Sequence, residues 1–386
     1  MKQSTQTLSL GDPAPLFVLP DSEENQIFLA TQAGKPILLF FYANDDLPQC
    51  RQISETFRDL MPKFESLNLQ IISISLNSPS SRQKFAQDYQ INFTLLSDVN
   101  YEVSGQYGVC KRGHIRDNPD LVTYSRTAFL LDINLRIVKI YTLINALDTI
   151  SKILADVKNK LPHESPRHLT MQAPVLMIPN VLPPEFCRYL IQRWETEGNA
   201  ESGYMRQQGE KTIGVIDYTR KIRRDHFVEN SDLIHYLDLI MKRRVFPEIR
   251  KVFQFPVTRR EGYKIGCYDG SRRGFFRRHR DNTTLGTAHR RFAMTLNLNT
   301  GEYEGGYLTF PEYGPHLYKP DTGSAVIFSC SLMHEATPVT SGRRFGLFAF
   351  FYGDKEAEER EAYESRVKND YNVDLRNISS AIKKLN

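Results

Sequence analysis

The stretch Phe275-Phe276-Arg277-Arg278-His279-Arg280-Asp281-Asn282 sets an imidazole and a carboxylate two residues apart among three arginines. Charged residues ordinarily sit singly on a wet surface. On a β-strand alternate side chains share a face, so His279 and Asp281 point one way and Arg278 and Arg280 the other. By the same count Arg277 shares the face of His279 and Asp281, which puts it at the mouth of any site they form. Taken alone, the stretch fits a solvated surface ion pair better than a pair of metal ligands.

A second imidazole changes the balance. His334 lies 53 residues beyond Asp281, directly after the apolar run Ser324-Ala325-Val326-Ile327-Phe328-Ser329-Cys330. Two histidines and one carboxylate occupy one triangular face of an octahedron and leave the opposite positions open, the donor set of non-haem Fe(II) oxygenases. Open positions accept a bidentate 2-oxo acid and then dioxygen. Arg344, ten residues after His334, falls on the next strand, where its guanidinium can fork onto the far carboxylate of 2-oxoglutarate; Arg343 is the competing neighbour. The run Glu304-Gly305-Gly306-Tyr307-Leu308 supplies a tight turn between the ligand strands.

Working outward, short strands with Gly, Pro and Asp turns dominate from Tyr263 onward, the texture of a β-barrel or jelly roll. Phe186, Leu190 and Trp194 recur at spacing four with Cys187 and Ile191 beside them, a helix face that belongs to the core. Residues 1–162 read differently. Pro36-Ile-Leu-Leu-Phe-Phe-Tyr-Ala and Leu69-Gln-Ile-Ile-Ser-Ile-Ser are continuous apolar runs, as in strands buried on both faces, with helices expected from Gln49 to Leu67 and after Ser78. Two strands flank Asp132-Ile133-Asn134, and a last helix spans about 147–161. Alternating strands and helices predict an α/β layer structure. The expected organisation is an α/β domain at 1–162, a Pro- and His-containing linker at 163–172, a mainly β domain at 173–354 and a charged helical tail at 355–386.

At 386 residues with 40% apolar and 11% aromatic content, the chain can bury two cores. It has no run of ~18 apolar residues for a membrane span, and its start shows neither the apolar region nor the cleavage site of a signal peptide. Five widely spaced cysteines, odd in number, argue against a disulfide framework and for a reducing, cytoplasmic setting. The net charge of +5 is uneven: residues 1–165 carry 16 basic against 18 acidic groups, whereas 218–292 carry 19 against 8. That cluster reads either as a solvated face or as a mouth attracting an anionic small molecule or an acidic peptide. No nucleic-acid-binding motif surrounds it, so nucleic acid is not the expected partner. His289 and His316 lie off the motif and read as structural or exposed.

Residues 173–353 resemble the prolyl 4-hydroxylase-like branch of the 2-oxoglutarate/Fe(II) dioxygenases. The resemblance rests on Ala173-Pro-Val-Leu-Met-Ile-Pro-Asn-Val-Leu-Pro-Pro-Glu-Phe-Cys, Cys267-Tyr268-Asp-Gly, the His279/Asp281 stretch, Glu304-Gly-Gly-Tyr-Leu-Thr-Phe and His334 with Arg344. It implies a double-stranded β-helix with flanking helices. It implies His279, Asp281 and His334 as iron ligands, Arg344 as the 2-oxoglutarate anchor and Tyr268 near that cosubstrate. It further implies decarboxylation of 2-oxoglutarate to succinate coupled to C–H hydroxylation of a small-molecule or peptidyl substrate, with ascorbate as the reductant of stalled iron.

In the first domain Cys50 stands where a helix begins, and a thiolate there is stabilised by the helix dipole and free N–H groups. Arg126, at the start of a later strand, is placed to reach the same pocket. Residues 7–160 resemble the peroxiredoxin branch of the thioredoxin-like fold through Leu8-Ser-Leu-Gly-Asp-Pro-Ala-Pro, Ile37-Leu-Leu-Phe-Phe-Tyr-Ala and Ser125-Arg126-Thr-Ala-Phe-Leu-Leu-Asp. The family pattern has Pro seven and Thr or Ser three residues before the reactive Cys; here Ala43 and Leu47 stand there, and Leu47 lacks the hydroxyl that bonds peroxide. Asp45 and Asp46 add negative charge that tends to raise the thiol pKa. Cys110 is the candidate resolving thiol. The expected function is a 2-oxoglutarate/Fe(II) hydroxylase with an appended peroxiredoxin-like domain. The alternatives are a thiol peroxidase using Cys50, or a redox-responsive binding protein whose oxygenase domain does not turn over.

Overall fold

The computed structural model describes residues 7–112, 122–161, 165–166 and 168–383. The chain divides into two compact units, Met1–Arg167 and His168–Asn386. Residues 163, 164 and 167 of the expected linker lie outside the described residues.

The first unit is built on a mixed five-stranded sheet. Its strands are β1 (Ile37–Phe41), β2 (Gln70–Ser75), β3 (Thr94–Ser97), β4 (Thr127–Leu131) and β5 (Ile137–Thr142), in the order β3-β2-β1-β4-β5. β1 runs parallel to β2 and antiparallel to β4. Every residue of β1 is fully buried, because each face meets its own core. Leu38 and Phe40 pack with Phe57, Ile150 and Val157 from helices α1 (Pro48–Asp59) and α3 (Ala146–Lys160). Ile37, Leu39 and Phe41 pack with Leu29, Val103 and Tyr107. Helix α2 (Pro79–Asp88) starts on a Ser78 side chain that accepts from the Ser81 amide. This is the thioredoxin-like arrangement.

The single helix expected from Gln49 to Leu67 is two. It breaks at Leu60 and resumes as Met61–Ser66. Pro62 has no N–H to return to residue 58, so the first helix cannot continue through it.

The second unit is built on two antiparallel sheets, with a separate hairpin of Tyr204–Gln208 and Lys211–Val215. Among the described residues a nine-stranded sheet runs through β6 (Leu176–Ile178), β15 (Ala325–Ser329), β12 (Phe292–Asn297), β17 (Val339–Tyr352), β10 (Lys264–Asp269), β9 (Arg224–Phe227) and β7 (Ala200–Glu201), with Arg259–Arg260 and Tyr303–Gly305 pairing to β17 off that path. A five-stranded sheet orders β8 (Lys221–Ile222), β11 (Phe275–His279), β16 (His334–Ala336), β13 (Leu308–Thr309) and β14 (Leu317–Tyr318). Period-two alternation divides the large sheet's side chains. Ile265, Cys267, Met294, Leu296, Phe345 and Leu347 face a core shared with Leu190 and Trp194 of α4 (Pro184–Thr196), Leu237 and Met241 of α5 (Ser231–Arg244) and Ile249 of α6 (Phe246–Phe253). The opposite face carries Lys264, Tyr268, Arg344, Phe348 and Phe350, which line a cavity of about 600 Å³ together with His279 and His334 of the small sheet. Ala293, Val326 and Phe328 join the two sheets by packing on Leu308 and Phe310.

The tail forms α7 (Asp354–Lys383). It is tied to the rest of this unit where Glu356 pairs with Arg291 at 2.8 Å and the Tyr363 hydroxyl accepts from the Thr212 amide at 2.7 Å. Among the described residues no helix is long and apolar enough to cross a membrane.

Candidate metal centre and thiol pocket

β11 and β16 are neighbours in the small sheet, and His279 and His334 are direct register partners across them. Asp281 lies just past the end of β11 rather than on it, held by its amide donating to the Cys330 carbonyl at 2.9 Å. The three side chains converge: one ligand atom from each lies within 4.8 Å of the others. Asp281 Oδ1 is 3.3 Å from His279 Nε2, and Oδ2 is 3.4 Å from His334 Nε2. Each histidine gives its Nδ1–H to a carbonyl, Arg277 at 2.7 Å and Leu332 at 3.0 Å. That fixes the tautomer and leaves both Nε2 lone pairs aimed at the common point. Burial keeps the His334 imidazole neutral, its pKa pushed down to about 4. Burial alone would raise Asp281, but the two imidazoles hold it well below the usual carboxylate range. A neutral His334 imidazole and an ionised Asp281 carboxylate are protonation states that suit a divalent cation.

Simple alternation misplaces Arg277. A register irregularity between Phe276 and His279 breaks the pleat, so the Phe276 ring stacks on His279 at 3.5 Å. Arg277 is exposed and lies over the Phe275 ring, off the cavity lining, whereas Arg278 and Arg280 line its mouth.

Arg344 stands opposite Tyr268 across β17 and β10, and both are buried. Its Nη2 donates to Asn297 Oδ1 at 3.4 Å, and its buried Nε has no hydrogen-bond partner. A Cβ on Gly306, where φ is +62°, would come within 2.9 Å of Arg344 Cδ. The glycine therefore makes room for the arginine stem. An under-used guanidinium lining the same cavity as the convergent donors fits a dicarboxylic 2-oxo acid. Arg343 faces out and pairs with Glu195 at 2.7 Å.

Sequence reasoning missed four basic residues around the same cavity. Arg223 is buried, paired with Asp225 at 2.6 Å and donating to the Tyr268 hydroxyl at 3.2 Å. Lys221 is buried and donates to Ser202 Oγ and the Gly203 carbonyl. Arg290 pairs with Glu261 at 2.6 Å. Lys264 shares the inward face of β10 with Tyr268. The alternation of Lys264, Gly266 and Tyr268 was the available signal. His289 is buried against Glu261 at 3.0 Å, and His316 is exposed.

In the first unit Cys50 is the third residue of α1 and is buried, with its amide donating to the Leu47 carbonyl at 2.9 Å. It lines a cavity of about 270 Å³ with Leu47, Tyr124 and Arg126. Burial raises its pKa, and Asp45 adds to the rise; backbone amides and the Arg126 guanidinium oppose it without overcoming it. Asp45 contributes little because Arg82 neutralises it at 2.8 Å in the interior. Arg126 hydrogen-bonds Gln49. Cys110 lies on a separate short strand, Cys110–Arg112, and both thiols are free.

Residues 10–140 match the AhpC/TSA family and residues 263–352 the 2OG-Fe(II) oxygenase superfamily. Over 126 residues the chain is 35% identical to the putative peroxiredoxin bcp of Coxiella burnetii, a match covering 33% of this chain and 83% of that protein. The chain belongs to the peroxiredoxin family. Its peroxiredoxin-like unit is fused to a 2OG-Fe(II) oxygenase domain. It is also 35% identical over 102 residues to chloroplastic peroxiredoxin Q of Gentiana triflora, covering 26% of this chain and 47% of that one. The chain thus spans about half the length of the peroxiredoxin Q relatives. Among solved structures, peroxidoxin BcpB from Mycobacterium tuberculosis matches at 27% identity with a TM-score of 0.37, covering 40% of this chain and 98% of that one.

Proposed function

We propose that the oxygenase domain is a 2-oxoglutarate-dependent hydroxylase holding Fe(II) through His279, Asp281 and His334. The convergence of those three donors within 4.8 Å carries the reading. Bound there with 2-oxoglutarate, iron supplies activation of dioxygen for C–H hydroxylation, with release of succinate and CO₂. The chain's own residues bind and orient. Arg344 receives the distal carboxylate of 2-oxoglutarate, and Tyr268 lines the same pocket beside it. Phe276 and Phe328 pack against the two imidazoles and shield them from water. Ascorbate is the reductant we expect to restore stalled iron. The substrate is a small molecule or a peptide, drawn in by a basic mouth. The five free, buried cysteines suit a reducing compartment such as the cytoplasm.

The test is succinate release from the full chain across a panel of metabolites and peptides with Fe(II) present. His279→Ala and His334→Ala should each abolish iron binding and turnover. Full activity in either variant removes the ligand assignment.

A second activity has an observation of its own. Cys50 opens α1 inside a pocket that also holds Arg126, the arrangement of a peroxide-reducing thiol. Leu47 and the raised thiol pKa predict slow peroxide reduction. Consumption of H₂O₂ that is lost in Cys50→Ser and indifferent to iron would establish it; identical consumption by both proteins would dismiss it.

A further inference from the structure

Of the basic residues Lys221, Arg223, Lys264 and Arg290 around the oxygenase cavity, three are matched by groups of the protein and one is not, while Arg344 is reserved for the cosubstrate. Arg223 has Asp225 and Arg290 has Glu261, each at 2.6 Å. Lys221 is engaged by Ser202 and Gly203 at 2.7 and 2.8 Å. The Lys264 ammonium has neither an ion pair nor a hydrogen bond among the described residues. It lies between two aromatic rings, 5.2 Å from the Phe227 centroid and 5.9 Å from that of Phe350. Contacts that long compensate little for a half-buried charge. Burial chiefly lowers its pKa and Arg223 and Arg290 add to the fall, while Glu261 and Asp225, each already paired with an arginine, offset part of it. Its strand alternation aims it into the cavity with Tyr268 and alongside Phe348.

We propose that Lys264 is the specificity-determining residue of the oxygenase site and receives the carboxylate of a small carboxylic-acid substrate. The inference rests on the oxygenase reading above and adds to it the substrate's chemical class. The site favours one negative charge over two. With Arg223 and Arg290 already matched, one ammonium with open donors remains, and a phosphate dianion would bring its second charge toward Asp225 and Glu261. The flanking Phe227 and Phe350 suit an apolar body behind the carboxylate. Arg344 does not compete for this role, because it lies further along the sheet beside Asn297 and belongs to the cosubstrate.

The experiment uses the full chain loaded with redox-inert Mn(II) and saturating 2-oxoglutarate. Mn(II) uptake is read by water-proton relaxation, and probe binding by broadening of the ¹⁹F signal. The probes are 4-fluorobenzoate, its neutral isostere 4-fluorobenzamide and 4-fluorophenyl phosphate. We expect 4-fluorobenzoate to be broadened and the other two to bind more weakly. Lys264→Met should weaken 4-fluorobenzoate by on the order of tenfold or more, with Mn(II) uptake unchanged, and Lys264→Arg should retain it. The proposal is overturned if 4-fluorobenzoate is not broadened, if the benzamide binds equally, if the phosphate binds more tightly, or if Lys264→Met binds like wild type. Failure of the wild type to take up Mn(II) overturns the oxygenase reading itself, and this inference with it.

Discussion

Arg344 offers five N–H donors and meets one side-chain acceptor, Asn297, at the long distance of 3.4 Å. A carboxylate that takes the fork is recognised by geometry as well as charge, so lysine is a poor substitute. Arg344→Lys should raise KM for 2-oxoglutarate about tenfold with a smaller effect on kcat, measured by succinate release at varied cosubstrate. Glu261 makes a different prediction. Burial alone would raise its pKa, but the His289 hydrogen bond and the Arg290 guanidinium pull it down to about 2. A depressed carboxylate stabilises the fold above its ordinary pKa of about 4.5 and loses that contribution as pH falls toward 2. The thermal midpoint should therefore drop between pH 4.5 and 2 more steeply in wild type than in Glu261→Gln, by a contribution of at most about 3 kcal/mol. At this scale the convergence of His279, Asp281 and His334, and the place of Arg344 in the cavity wall, were legible because these are chemically distinctive residues beside strands. Arg277 was misread because a bulge is invisible to a count of two. Lys264 passed unnoticed because one lysine among 19 basic residues between 218 and 292 carries no mark of being unpaired.

Elements place these residues, and the turns between elements set their register. β15 delivers the chain toward His334, and it begins at a turn containing Gly323, where φ is +80°. A Cβ there would sit 1.9 Å from the Leu182 carbonyl oxygen, backbone that cannot move aside cheaply. Gly323→Ala should cost about 2 kcal/mol or more, read by denaturant unfolding, and should weaken iron uptake with it. Ser78, at the head of α2, is a milder case: Ser78→Ala should cost about 1 kcal/mol. The long apolar strands and α4 could be read from periodicity alone. The two- and three-residue strands of the small sheet could not, because so short a span shows no period. α5 and α6 were also missed; the basic residues at the C-terminal ends of both, Arg243 and Arg244 in one and Arg250 and Lys251 in the other, obscure the apolar stripe formed by Leu233, Leu237, Ile240 and Ile249.

Across the whole molecule each unit has cores composed of its own residues. A cavity opened in one of them should be felt by one unfolding transition. Phe40 is fully buried and stacks on Phe57 at 4.5 Å, so Phe40→Ala should lower a single calorimetric transition by the equivalent of about 3–5 kcal/mol, leaving the transition of the oxygenase unit in place. The β-ladder that pairs His279 with His334 has a consequence for that unit as well. Main-chain pairing of β11 with β16 laces the two imidazole-bearing segments together through bonds that do not involve a cation, so the ladder does not depend on one. Stripping with a chelator should then extinguish turnover while shifting the melting temperature by only a few degrees, and re-addition of ferrous salt should restart catalysis without a refolding lag.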